Sequence, residues 1–203
     1  MNRAGFEIGL VVAAIVLHFV LTRVVGIRGL DIVPITLGVL AYALVVGRDP
    51  AARAGWGTRR EGFAACLHDA VPLFVVGAGT CAAIGAVRGF LVVDASLLLT
   101  VVLYPAWGIA QQFLVLGLFA HGLDRIGLSR AIVLAVAGAG FAAVHVPNWS
   151  LVAATAVLGP WCAVLFFRHR NLWPLGVAHG VLGALFYRWA LGVDVCAVLF
   201  TPR

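Results

Sequence analysis

The stretch YPAWGIAQQFLVLGLF, residues 104–119, is apolar almost throughout yet carries two adjacent glutamines at its centre. Its length and hydropathy predict a helix inside a bilayer. An amide placed in hydrocarbon is costly unless a partner satisfies it. Polar residues within a membrane therefore mark packing contacts or functional sites. Which of the two Gln111 and Gln112 mark depends on what surrounds them in the chain.

The surroundings are equally apolar. Of 203 residues, 63% are hydrophobic and 11% charged, with a mean hydropathy of +1.08. A water-soluble domain of this size has no core large enough for that much apolar surface, whereas lipid accepts it. With roughly 20 apolar residues per span, the expected fold is an all-α polytopic transmembrane bundle of about seven spans. They are expected near residues 5–25, 30–47, 66–87, 95–122, 129–147, 150–167 and 172–191. No internal repeat, low-complexity tract or domain boundary is visible, so residues 1–203 read as a single integral membrane domain. The basic start resembles a signal peptide, but its apolar run is too long and lacks a small-x-small cleavage site; a retained first helix is expected.

The net charge of +6 comes from fourteen arginines. They lie in the connections between apolar runs, where orientation and anionic headgroups explain them better than nucleic acid does. With the N-terminus inside, the inner connections hold Arg3, Arg48, Arg53, Arg59, Arg60, Arg125, Arg130, Arg168 and Arg170. The outer ones hold Arg23, Arg28, Arg88, Arg188 and Arg203. The excess favours an inside N-terminus, in the cytoplasmic membrane of a bacterium. The longest polar connection ends in WGTRREGF, residues 56–63, which is expected along the membrane surface with Trp56 and Phe63 at headgroup depth. Cys66, Cys81, Cys162 and Cys196 show no close metal-ligand spacing and read as buried thiols.

Four features stand out in the second half. Gln111 and Gln112 are neighbours about 100° apart on a helix, so one faces the bundle when the other faces a neighbouring helix. In FAAVHVPN, residues 141–148, Phe141 and His145 share a face at i,i+4, and Asn148 follows Pro147 where the helix is expected to end. NLWPLGVAHGVLG, residues 171–183, brings His179 into the last span. All eight carboxylates fall at or near span ends, none in the middle of spans four to seven. Gly176 with Gly180, and Gly138 with Ala142, form small-xxx-small pairs suited to close helix packing. A single buried histidine is usually structural, and glutamines alone serve as interhelical glue. Two of each in successive spans point equally to one shared cavity. His18, His68, His121 and His169 are weaker candidates.

FAAVHVPN and NLWPLGVAHGVLG, following a polar pair in a preceding helix, resemble the CPBP family of CAAX-protease and bacteriocin-processing membrane proteins. The resemblance covers roughly residues 95–190, with 95–191 as the core. It implies an intramembrane endopeptidase whose motifs are EExxxR, FxxxH and HxxxN or HxxxD. FxxxH falls on Phe141 and His145, and the third histidine on His179. The two glutamates fall on Gln111 and Gln112, the arginine on Leu116 and the final polar residue on Gly183. The histidines are kept; both glutamates, the arginine and the last polar residue are not. An amide cannot serve as a base near neutrality as a buried carboxylate does.

Two functions follow as expectations. In the first, the protein cleaves a membrane-associated or lipid-modified peptide by water attack. A histidine, His145 or His179, acts as base, while Gln111, Gln112 or Asn148 orients water or the oxyanion. In the second, a catalytically inactive relative binds such a segment as a scaffold, chaperone or immunity protein. No cofactor is expected, since two imidazoles make a thin shell for zinc, which takes three protein ligands in catalytic sites. The expected partners are membrane lipid and a membrane-associated peptide or protein, not nucleic acid. The sequence does not fix the oligomeric state.

Overall fold

The computed structural model describes residues 2–25 and 32–200; of Arg23, Ile32 and residues 198–200 only the backbone is described. Arg28, Asp31 and Arg203, used in reading the charges, lie outside the described residues, as does the expected junction between the first two spans.

The described residues are all-α, with no strand. Helix α1 runs Arg3–Phe19 and continues as π-helix over Val20–Val24, and α2 spans Ile32–Val46. Helix α3 is Pro50–Trp56, α4 is Phe63–Arg88, and α5 is Ala95–Gln112, extended by π-helix over Phe113–Ala120 and by a last α turn, His121–Arg125. Helix α6 is Arg130–Ala143, α7 is Trp149–His169, α8 is Trp173–Leu185 with a π tail Phe186–Ala190, and α9 is Val195–Phe200.

The ends follow from local chemistry. Asn2, Asp49, Ser129 and Asn148 each accept a backbone N–H of the helix they open, satisfying donors that have no partner inside the helix. Pro50 follows Asp49 at the first helical position, where its missing N–H costs nothing. Gly57 ends α3 at φ 72°, and a Cβ there would also meet the Phe166 ring at 2.7 Å. Only glycine suits both demands.

Among the described residues four helices are long and apolar enough to cross a membrane: Arg3–Thr22, Phe63–Arg88, Ala95–Arg125 and Trp149–His169. The regions expected as spans two and five form shorter apolar helices, Val33–Val46 and Arg130–Ala143. In the fifth region the helix stops at Ala143, before His145 and the cis Val146–Pro147 bond. Proline disfavours helical geometry in the residue before it and removes a donor.

The chain divides into two compact units. The first comprises Met1–Gly62 and Gln112–Leu172. In it Ala120, Leu123, Val133 and Ala137 form a core, with Ile8, Val115, Phe119 and Phe167 packed against it. Gly138 faces Pro160, whose Cγ would lie 2.7 Å from a Cβ, so α6 and α7 pack through this small residue as the sequence suggests. The indole of Trp56, expected along the surface, is buried inside the protein at 1% exposed. Its Nε1–H donates to Glu7 Oε1 at 2.9 Å, which also accepts from the Tyr42 hydroxyl at 2.9 Å and Arg3 Nε at 3.0 Å. An indole whose N–H finds a buried carboxylate has no need of the interface.

The second unit comprises Phe63–Gln111 and Trp173–Arg203. Helix α4 packs along α8, with Gly77 against Leu182 and Gly85 against Trp189. Cys81, Leu97 and Leu185 make its core. Helices α5 and α8 come closer still: Cβ atoms on Gly108, Gly176 and Gly180 would lie 2.4, 2.6 and 2.4 Å from backbone atoms of the facing helix. The expected role of Gly176 and Gly180 in backbone approach is therefore observed. Arg188 pairs with Asp94, and Asp194 accepts from Ser96 Oγ at 2.5 Å and from Ala197 N–H at 2.9 Å. Those donors, with Arg188 nearby, hold the Asp194 carboxyl below the usual carboxylate range.

Candidate functional site

The predicted residues are distributed between the units. Gln112, His145 and Asn148 belong to the first, Gln111 and His179 to the second.

Gln112 is 1% exposed and stands where α5 changes from α to π winding. The following turns bond i to i−5, as in His121 N–H to Leu116 O. Such widened turns recur at functional sites. Leu116, at the position of the family arginine, is fully buried.

His145 sits just past the end of α6, half-buried. Its Nδ1 is 2.8 Å from Phe141 O, and its ring stands edge-on to Phe141 at 5.3 Å. The FxxxH spacing thus delivers a carbonyl and an aromatic wall together. A carbonyl only accepts, so Nδ1 carries the proton and Nε2 keeps its lone pair. Thr155 Oγ1 lies 3.5 Å from the same Nδ1. Asn148 N–H donates to His145 O at 2.9 Å, while the Asn148 side-chain carbonyl accepts from Leu151 N–H at 3.2 Å. Asn148 therefore caps α7, leaving its amide N–H groups for other work.

Within the first unit the helices can be set in register. Helix α1 packs along both Phe113–Ala120 and His121–Arg125. A Cβ on Gly122 would lie 2.9 Å from Ile8 Cγ1 and 3.3 Å from Ala4 O, so the start of α1 is level with the end of α5 and the two run antiparallel. Helix α6 begins at the same end, with Val133 and Ala137 against Ala120 and Leu123. About ten residues back from Gly122 is Gln112, and about twelve on from Val133 is His145. Both residues therefore lie beyond that core, away from the Gly122 end of the unit; the α-helical rise of about 1.5 Å per residue does not carry through the π turns after Gln112.

In the second unit the register of α5 on α8 pairs Ile109 with Gly176 and Pro105 with Gly180. His179 is then level with about residue 106, some five residues or about 8 Å below Gln111. His179 is buried and Gln111 half-buried.

The sequence reading missed two features of the first unit. Glu7, fully buried, anchors Arg3, Tyr42 and Trp56, and Arg3 also pairs with Asp49 at 3.0 Å. His121, expected at an interface, is half-buried; its Nδ1 lies 3.2 Å from Arg170 Nη1, and Arg170 and Arg130 both pair with Asp124. An acid near a span start followed by aromatics in later segments was the available signal for the Glu7 anchor. Among the described residues no group of three or more His, Cys, Asp or Glu side chains gathers as a metal site.

Residues 93–185 match the family described as Type II CAAX prenyl endopeptidase Rce1-like. The match takes in the polar features of α5 to α8, from Gln111 through His145 and Asn148 to His179, and ends where α8 turns from α to π winding. No curated protein and no solved structure matches the chain. The long apolar helices and this match fit an integral membrane protein. Over residues 93–185 the chain is similar to the Rce1-like family of Type II CAAX prenyl endopeptidases.

Proposed function

We propose that the protein is an intramembrane endopeptidase that cleaves a membrane-associated or lipid-modified peptide by water attack, with His145 as the base. The observation that carries this reading is the His145 ring itself. Phe141 O engages Nδ1 and fixes the tautomer in which Nε2 is an acceptor. A base with a lone pair at a fixed position is what activating water requires. Gln112, beyond the same core, offers an amide to the carbonyl oxygen as it becomes an oxyanion. The Asn148 amide N–H groups lie one turn of chain from His145 and serve the same purpose. His179 and Gln111 enter through the family motifs alone. The match to a prenyl endopeptidase family makes a prenyl-cysteine peptide the first substrate class to try.

A second reading has its own observation. Among the described carboxylates, Glu7, Asp49, Glu61, Asp94, Asp124 and Asp194 each pair with an arginine and Asp69 lies against His68, so each has a partner of its own. A non-catalytic scaffold that holds a peptide or lipid-modified segment fits that fact.

One experiment separates them: cleavage of a prenylated CAAX peptide and of an unprenylated membrane-anchored peptide by protein reconstituted in liposomes. The peptidase reading expects turnover that His145→Ala and His179→Ala each abolish. Peptide binding without turnover establishes the scaffold. Full turnover by the double His145→Ala, His179→Ala variant refutes the assigned site.

A further inference from the structure

Helix α8 carries a face of which the proposed site uses only one residue. His179 is buried on it. Gly183 follows one turn on, about 6 Å along the axis, and Tyr187 one turn beyond that. Side chains at this four-residue spacing share a face. Position 183, where the resemblance places an Asn or Asp, has no side chain of its own.

The space over Gly183 is filled from α5. A Cβ on Gly183 would lie 2.9 Å from Tyr104 Cε1 and 3.3 Å from Tyr104 Cδ1. One edge of the Tyr104 ring therefore lies against position 183. The phenol oxygen, attached to the ring carbon next to Cε1, is on that side of the ring's far end. The Tyr187 ring meets the Tyr104 ring edge to face, with centroids 6.2 Å apart and planes at 77°. All of these residues belong to the second unit, and both tyrosines are half-buried.

The neighbouring glycines explain why the ring arrives there. A Cβ on Gly180 would lie 2.4 Å from Pro105 Cα and 2.8 Å from Tyr104 O, so the two backbones are in contact at this level. A large side chain leaving α5 at residue 104 then needs a gap in the surface of α8. Gly183 is that gap. Gly176 and Gly180 serve the approach of the backbones; Gly183 serves one phenol. The chain has lost the polar side chain at position 183 and set a hydroxyl-bearing ring in its space.

We propose that Tyr104 is a further catalytic residue of the peptidase, its hydroxyl taking the place of the polar side chain absent at position 183 and donating to the substrate's carbonyl oxygen as that oxygen gains charge. The inference rests on the peptidase reading above. A phenol O–H is a donor that ordinarily titrates near pH 10, so its part is to hydrogen-bond rather than to move a proton. As the water oxygen bonds to the scissile carbonyl carbon, the C=O electron pair moves onto oxygen and the Tyr104 O–H hydrogen-bonds to it. When the C=O bond re-forms, the C–N bond breaks and its electron pair stays on nitrogen. That nitrogen takes, through the base, the proton that water gave up, and Tyr104 keeps its own. The products are a carboxylic acid and an amine.

The test is turnover of a prenylated CAAX peptide in liposomes, by variants shown to be folded by circular dichroism and thermal unfolding. Tyr104→Phe keeps the ring over Gly183 and removes only the hydroxyl. It is expected to lower kcat by about 10²–10³-fold with KM within about twofold of wild type. Tyr104→Ala empties the space and is expected to lose at least as much. Adding Gly183→Asn to Tyr104→Ala returns a donor to position 183 and is expected to recover about tenfold or more of the lost kcat. Tyr104→Phe with wild-type kcat overturns the inference and leaves the peptidase reading standing. A rise in KM at unchanged kcat does the same, because it marks a residue that binds substrate and transition state alike. A folded double variant no faster than Tyr104→Ala also overturns it; if the double variant does not fold, Tyr104→Phe decides alone. Absence of wild-type turnover overturns the peptidase reading and this role with it.

Discussion

Glu7→Ala is the most informative perturbation of the first unit, because one carboxylate there holds three helices. Glu7 is fully buried, and its Oε1 accepts from Arg3 on α1, Tyr42 on α2 and Trp56 on α3 at 2.9–3.0 Å. Removing it strands a buried indole N–H and a phenol, and leaves Arg3 with Asp49 alone. Hydrogen bonds to charged groups contribute about 1.5–3 kcal/mol each, and breaking a buried ion pair by removing one partner costs about 3–5 kcal/mol. Arg3 is part-exposed and its pairing is screened, so the estimate sits on the Tyr42 and Trp56 bonds, about 3–6 kcal/mol in all. Trp56→Phe removes one bond and keeps most of the ring packing on Phe113 at 5.2 Å, at about 1.5–3 kcal/mol. In the double variant the lost bond is counted once, so the two effects are expected to fall short of additive by about 1.5–3 kcal/mol. Equilibrium unfolding in mixed micelles, followed by tryptophan fluorescence and circular dichroism, reads all four corners of the cycle. Glu7→Ala within about 0.5 kcal/mol of wild type, or strict additivity, would show that the carboxylate does not hold these helices.

Two further outcomes follow from the same geometry. Gly108→Ala and Gly180→Ala each place a Cβ 2.4 Å from backbone of the facing helix, where neither side gives way. Each is expected to cost at least about 1–3 kcal/mol by unfolding in micelles, whereas Gly79→Ala, with open space around it, is expected to be neutral or slightly stabilising. Restoring a carboxylate at the family's position tests the exchange of charge for amide. Gln112→Glu buries an acid beside apolar Leu116 and is expected to destabilise by several kcal/mol, while Leu116→Arg added one turn on is expected to recover part of that loss. Half-buried Gln111→Glu is expected to be tolerated and to raise peptide turnover.

The sequence made the helices legible because hydropathy measures what a bilayer demands of every exposed side chain. It also made Gly108, Gly176 and Gly180 partly legible: small residues at four-residue spacing have one obvious use, although the partner position Gly108 was not distinguishable among the many glycines. Trp56 was misread for a physical reason. An aromatic among arginines after a span suits the interface equally well, and only the acceptor on Glu7, contributed from another helix, decides for burial.

Depth is a property of packing. It is set here where Ile8, Gly122 and Val133 meet at one end of the first unit, with Gln112 and His145 both further along their helices from that end. The π-helical turns after Gln112 belong to the same geometry. A π stretch rises less per residue than α-helix and rotates the preceding segment relative to the following one. The face of α5 that packs on Ile8 and Val133 is therefore not continuous, at helical period, with the face that presents Gln112. Winding Phe113–Ala120 as π-helix lets the lower half of α5 keep its core contacts while Gln112 is turned independently of them. Heptad or 3.6-residue periodicity cannot reveal such an offset, since the pattern on either side is regular and the break is in the phase between them. Where a membrane helix carries a polar pair directly before such a phase break, the break itself is the feature that aims the pair.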